Sequence, residues 1–93
     1  MIMQKKTVAK KDIDYLFEVI LKLESVKDCE LLFEDLCTDK EVEQMAQRIK
    51  AARLLIEGNT YNKVIEQTDI SSATLCRVSR CVQYGKGYRN FVK

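Results

Sequence analysis

The sequence has no proline and no histidine, and only three of its 93 residues are glycine. With so few chain breakers, helix-period runs continue almost uninterrupted, which predicts an all-α fold in one domain. The absence of histidine removes the commonest metal ligand and general base. None of the four cysteines (Cys29, Cys37, Cys76, Cys81) forms a Cys-x-x-Cys pair, so no metal site and no cofactor are expected. Cys29 and Cys37 fall on apolar helix stripes and read as small core residues. There is no glycine-rich phosphate cradle and no isolated carboxylate pair, which argues against an enzyme. No apolar run is long enough to span a bilayer and no signal-peptide pattern is present, so a cytoplasmic protein with reduced thiols is expected.

Charge of one sign is missing from the end of the chain. After Asp69 there is no acid, while Arg77, Arg80, Lys86, Arg89 and Lys93 follow. From Met1 to Gln47, seven Lys/Arg face eleven Asp/Glu, a net of −4; from Arg48 to Lys93, nine face three, a net of +6. A basic half on a nearly neutral chain is the electrostatic footprint of a nucleic-acid partner. Apolar residues make up 46% of the sequence, more than a domain this small readily covers, and oligomerisation is one way to use the excess.

Met1–Lys10 mixes lysine with little periodicity and reads as a flexible N-terminal arm, leaving residues 11–93 as the domain. A first helix is expected from Asp12, with Ile13, Leu16, Phe17, Ile20 and Leu21 at helical spacing. Ser25 can cap a second helix whose inward stripe is Cys29, Leu32, Phe33 and Leu36. Thr38-Asp39-Lys40-Glu41 is a capping box opening a third helix that runs through Val42, Met45, Ala46, Ile49, Ala52 and Ile56 to Gly58. At about 19 residues it would be roughly 28 Å long, the central strut.

The segment 60–83 carries the most specific signal. It reads as two short helices around a three-residue turn, with Thr60 capping the first and Ser71 or Ser72 the second. Asp69 sits at the turn, and Val64, Ile65, Ile70, Leu75, Val78 and Val82 are the expected inward residues. That pattern is a helix-turn-helix whose second helix enters a DNA major groove. Ala73 and Cys76 would touch bases through small side chains, and Arg77 or Arg80 would reach a guanine edge or a phosphate. Lys63 would meet a phosphate, because the first helix of such a unit crosses the backbone. Ser71 and Ser72 are caps whose helix start also offers a backbone N–H to phosphate. The plainer alternatives are arginines paired with acids of neighbouring helices, a solvated Lys63, and an Arg48 held in an ion pair on the third helix.

Taken in order, four stretches resemble the tryptophan repressor superfamily, and within it the YerC/YecD-type branch. They are Leu32-Phe33-Glu34-Asp35-Leu36-Cys37-Thr38, Ala46-Gln47-Arg48, Gly58-Asn59-Thr60-Tyr61-Asn62 and Ser72-Ala73-Thr74-Leu75-Cys76-Arg77-Val78-Ser79-Arg80-Cys81. The resemblance implies an all-helical, intertwined homodimer presenting two helix-turn-helix units to successive major grooves of double-stranded DNA. It also implies a ligand pocket: Arg48, Thr74 and Arg77 match the residues that grip tryptophan in the repressor, and Thr38 matches a further pocket residue. Two positions depart from the pattern. Val78 stands where the repressor has a glycine beside the indole, and Cys81 replaces a pocket serine, so tryptophan is not expected to bind.

The sequence therefore points to a homodimeric, sequence-specific DNA-binding transcriptional regulator, repressor-like and without a membrane association. The alternatives are a protein-interaction module of the transcription machinery, or a regulator gated by a ligand other than tryptophan.

Overall fold

The computed structural model describes residues 9–93, and those residues are all-helical: six helices and no strand. Of the expected N-terminal arm, residues 1–8 lie outside the described residues, while Lys10 already belongs to the first helix. The chain divides into two compact units, Met1–Leu36 and Cys37–Lys93.

The first unit holds α1 (Lys10–Ile20) and α2 (Val26–Leu36). Helix α1 starts two residues before the expected Asp12, and Lys10 is held to Asp14 at 2.9 Å, one turn along. Ser25 begins α2 as expected: its Oγ accepts from the Asp28 N–H at 3.0 Å, and the Asp28 carboxylate accepts from the Glu24 N–H at 3.0 Å. Neither helix buries a single residue. The expected inward stripe of α2 is only half realised, with Leu32 and Phe33 half-buried but Cys29 and Leu36 exposed. Two helices of 11 residues offer each other too little surface to cover an apolar face.

The second unit holds α3 (Asp39–Ile56), α4 (Tyr61–Gln67), α5 (Ser72–Tyr84) and α6 (Gly87–Phe91). The 18 residues of α3 make it the longest helix, and α4, α5 and α6 all pack on it. It opens on the capping box read from the sequence, Thr38 and Glu41 each satisfying the other's backbone N–H. Its far end is closed by Gly58, whose φ of 95° lets the Gly58 N–H reach the Leu55 carbonyl and the Asn59 N–H reach the Leu54 carbonyl, both at 3.0 Å.

One core serves this unit: Ala51, Ala52 and Leu54 of α3, Val64 of α4, Ile70 of the turn, and Leu75, Val78 and Val82 of α5. The two alanines are fully buried, so small side chains let neighbouring helices approach the strut closely. Five of the six residues expected to face inward between 60 and 83 do so. Ile65 does not: it is 40% exposed, because seven residues of α4 bring only Val64 onto the core side.

Candidate nucleic-acid interface

Helices α4 and α5 are joined by Thr68–Ser71, one residue longer than the expected turn. Thr60 caps α4, its side chain accepting from the Lys63 N–H at 3.2 Å. At the other end, buried Thr68 donates its hydroxyl to the Val64 carbonyl at 2.8 Å and stops the helix. The Ile70 N–H then reaches the Thr68 carbonyl at 2.7 Å, folding the chain tightly around Asp69 and dropping Ile70 into the core. Of the two serines considered as the cap of α5, Ser71 takes the role: its Oγ accepts from the Thr74 N–H at 3.2 Å. Ser72 is the first helical residue, and the backbone N–H groups of Ser72 and Ala73 have no acceptor among the described residues.

Helix α5 has two chemically distinct sides. Leu75, Val78, Ser79 and Val82 are buried. Ala73, Cys76, Arg77 and Arg80 are exposed at spacings of three and four, and so share the opposite side. Ser71, Ser72 and Lys63 are exposed as well. Ser79 was not singled out in the sequence, where an unmarked serine is ambiguous; its buried hydroxyl accepts from the Gln83 amide at 3.2 Å.

The plainer reading of the arginines as ion-paired is not met. Among the described residues the only salt bridge is Lys10–Asp14, so Lys63, Arg77 and Arg80 face solvent with uncompensated charge. The ion pair expected for Arg48 is likewise not found among the described residues. Half-buried Arg48 instead borders two clefts between α3 and α5. One, of about 380 Å³, is lined by Arg48, Thr74, Arg77, Val78, Cys81 and Tyr88. The other, of about 310 Å³, adds Gln44, Gln47, Asp69, Ile70 and Ser71 to Arg48 and Thr74. Three of the four expected pocket residues (Arg48, Thr74 and Arg77) are thus brought together. Thr38 is not among them; its hydroxyl is committed to the cap of α3.

No cluster of acidic, thiol or imidazole side chains able to hold a metal occurs among the described residues, and no described helix is long and apolar enough to cross a membrane.

These features define an all-helical chain with a basic, outward-facing helix near its C-terminal end. It belongs to the Trp repressor family, whose model matches residues 11–93. Members of this family are DNA-binding regulators and not enzymes. The chain is 48% identical over 75 residues to the uncharacterized protein YerC of Bacillus subtilis (strain 168), covering 81% of this chain and 72% of that one. It is also similar to two crystal structures. One is a candidate Trp repressor from Staphylococcus aureus, with a TM-score of 0.82 and 35% identity over 87% of this chain and 82% of that one. The other is a TrpR-like protein from Eubacterium eligens ATCC 27750, with a TM-score of 0.82 and 37% identity over 86% of this chain and 84% of that one.

Proposed function

We propose that the chain is a homodimeric, sequence-specific DNA-binding transcriptional regulator, repressor-like and cytoplasmic, with α4, the Thr68–Ser71 turn and α5 acting as a helix-turn-helix. The observation that carries this reading is the division of α5. Its buried side anchors it to α3, while its outer side offers two unpaired guanidinium groups beside two small side chains. Small residues at Ala73 and Cys76 let the helix sit deep in a major groove. Arg77 and Arg80 then reach a guanine edge or a phosphate. Lys63 of α4 meets a phosphate where that helix crosses the backbone, and the free N–H groups at the start of α5 bind another.

The second copy follows from the apolar residues left uncovered. Ile13, Leu16 and Phe17 of α1, Leu21 at its C-terminal cap, and Val26, Leu31 and Leu36 of α2 are all exposed in the single chain. An exposed apolar set of this size calls for a partner surface, and an intertwined homodimer covers it. Two units would then address half-sites about one helical turn, roughly 34–36 Å, apart.

Selection of genomic fragments on the purified protein, with sequencing of what is retained, tests the reading. A recurring two-fold motif is expected; retention without sequence preference contradicts it. Affinity should also fall steeply with salt, because phosphate contacts release counterions. A protein-interaction module of the transcription machinery would show neither behaviour.

A second reading, in which a small molecule other than tryptophan gates DNA binding, is favoured by one observation. The cleft of about 380 Å³ beside α5 gathers Arg48 and Arg77 with no acid among its lining residues. Tryptophan itself is not the ligand in this proposal, since Val78 carries an isopropyl group at the position where the family pattern leaves room for an indole.

A further inference from the structure

The chain that leaves α5 turns back and fastens itself to that helix. Gly85 follows the last helical residue in extended conformation, and its N–H reaches the Cys81 carbonyl at 2.8 Å. A side chain at Gly85 would begin 2.7 Å from the same carbonyl oxygen, so the backbone comes this close only with glycine there. After a bend at Lys86, α6 packs on α3 and α5 and lays Tyr88 and Val92 against the core. Arg89 reaches back from α6, and its Nε–H donates to the Val82 carbonyl, seven residues earlier.

The last four carbonyls of a helix have no partner within it. In α5 these include Cys81 and Val82, and both are answered by the segment that follows. The Arg89 guanidinium also lies at the negative end of the helix dipole. Arg89 has no acid partner among the described residues, so the Val82 carbonyl is the anchor the structure gives it.

We infer that Arg89 is a positioning residue for DNA recognition: with Gly85 it clamps the C-terminal turn of α5 to α6 and so fixes the angle of α5 on α3. The inference rests on the reading of α5 as the helix that enters the groove. Ala73 lies about 16 Å along the helix from the clamped end, so a tilt of roughly 5° shifts it by about 1.4 Å. Hydrogen bonds to base edges hold over only about half an ångström. Contacts from long side chains to phosphates follow such a shift, so loosening the clamp costs specificity and spares the non-specific part of binding.

The test compares the unaltered protein with Arg89→Ala, Arg89→Lys, Gly85→Ala and Lys93→Gln, on a selected and a scrambled duplex at low and high salt. Arg89→Ala and Gly85→Ala should each lower affinity for the selected duplex about tenfold, the scale of one misplaced base contact. Affinity for the scrambled duplex should stay within about twofold, and the salt slope should not change. Arg89→Lys, which keeps a donor and a charge near the carbonyl, should recover part of the loss. Lys93→Gln removes a nearby charge without touching the anchor and should match the unaltered protein. Without DNA, hydrogen exchange should quicken in the last turn of α5 in Arg89→Ala and Gly85→Ala and stay unchanged in α3. Equal losses on both duplexes with a salt slope reduced by about one in Arg89→Ala would make Arg89 a phosphate contact and overturn the inference. So would an Arg89→Ala protein that binds the selected duplex as the unaltered one does. Should Gly85→Ala unfold, Arg89→Ala decides the question alone, because it removes one exposed side chain. An unaltered protein with no preference for any duplex would overturn the reading of α5 itself, and this inference with it.

Discussion

Thr38 and Glu41 close the start of α3 on each other: Thr38 Oγ1 accepts from the Glu41 N–H at 3.1 Å, and Glu41 Oε1 accepts from the Thr38 N–H at 2.8 Å. The bonds from the Thr38 backbone and hydroxyl favour the charged carboxylate, so Glu41 titrates below its ordinary value of 4.5. A folded-state value lower than the unfolded one gives stability that is complete above the unfolded value and lost as pH falls through the folded one. Glu41→Gln should be less stable than the unaltered chain at neutral pH, and the thermal melts of these two chains should draw together as pH falls through the folded value of Glu41. A gap that stays constant with pH would mean the reciprocal bond contributes nothing. Separately, Thr38→Ala should cost about 1 kcal/mol, because it removes the hydroxyl that caps the Glu41 N–H.

Gly58 holds a φ of 95° with nothing within 4 Å of where a side chain would begin. Only backbone strain, not crowding, penalises Gly58→Ala, so the expected loss is about 1 kcal/mol by chemical denaturation. A neutral result would show that the C-terminus of α3 relaxes into another cap.

Leu16 and Phe17 are 37% and 57% exposed in the single chain, although both belong to the apolar face of α1. Sedimentation at micromolar concentration should give twice the 10.8 kDa chain mass. Replacing both residues by aspartate should abolish the dimer and with it most of the stability of α1 and α2, because a homodimer's core and interface are one surface. A well-folded monomer of the unaltered chain would contradict the dimer.

Val78 is buried and forms a wall of the cleft that Arg48, Thr74 and Arg77 share. Calorimetry at millimolar tryptophan should show no saturable heat, and tryptophan should not raise DNA affinity. Saturable heat would mean that the isopropyl group leaves room for an indole.

How far the sequence could be read depended on how local each cause was. Caps lie within three residues of what they satisfy, so Ser25, Thr38, Thr60 and Ser71 were legible, as was the stop at Gly58. The inward residues of α5 followed from period alone, because a 13-residue helix with one anchored side repeats its pattern three times. Period was a poorer guide in α4, where seven residues cannot distinguish Val64 from Ile65. It was poorer still in α2, where Cys29 and Leu36 look inward in sequence but find no cover within one chain. In the candidate site, the exposed set Ala73, Cys76, Arg77 and Arg80 was legible because one side of α5 is apolar and the opposite side polar or small. The cleft was legible only through resemblance, since Arg48 and Arg77 are 29 residues apart and nothing local joins them. Thr38 does not line that cleft in the single chain, where its hydroxyl caps α3.

The central claim, that α5 enters the groove while α4 rides on the backbone, is tested most directly by one salt series on three variants. With a selected duplex, Arg80→Ala should lose about 1–3 kcal/mol of binding while keeping the fold, because Arg80 is exposed and unpaired. Lys63→Ala should weaken binding to all sequences about equally and reduce the salt slope by about one, as a phosphate contact would. Glu24→Ala, in the acidic half, should leave affinity unchanged or slightly raised. Binding by Arg80→Ala and Lys63→Ala that matches the unaltered protein at both low and high salt would contradict the groove model and favour a protein partner instead.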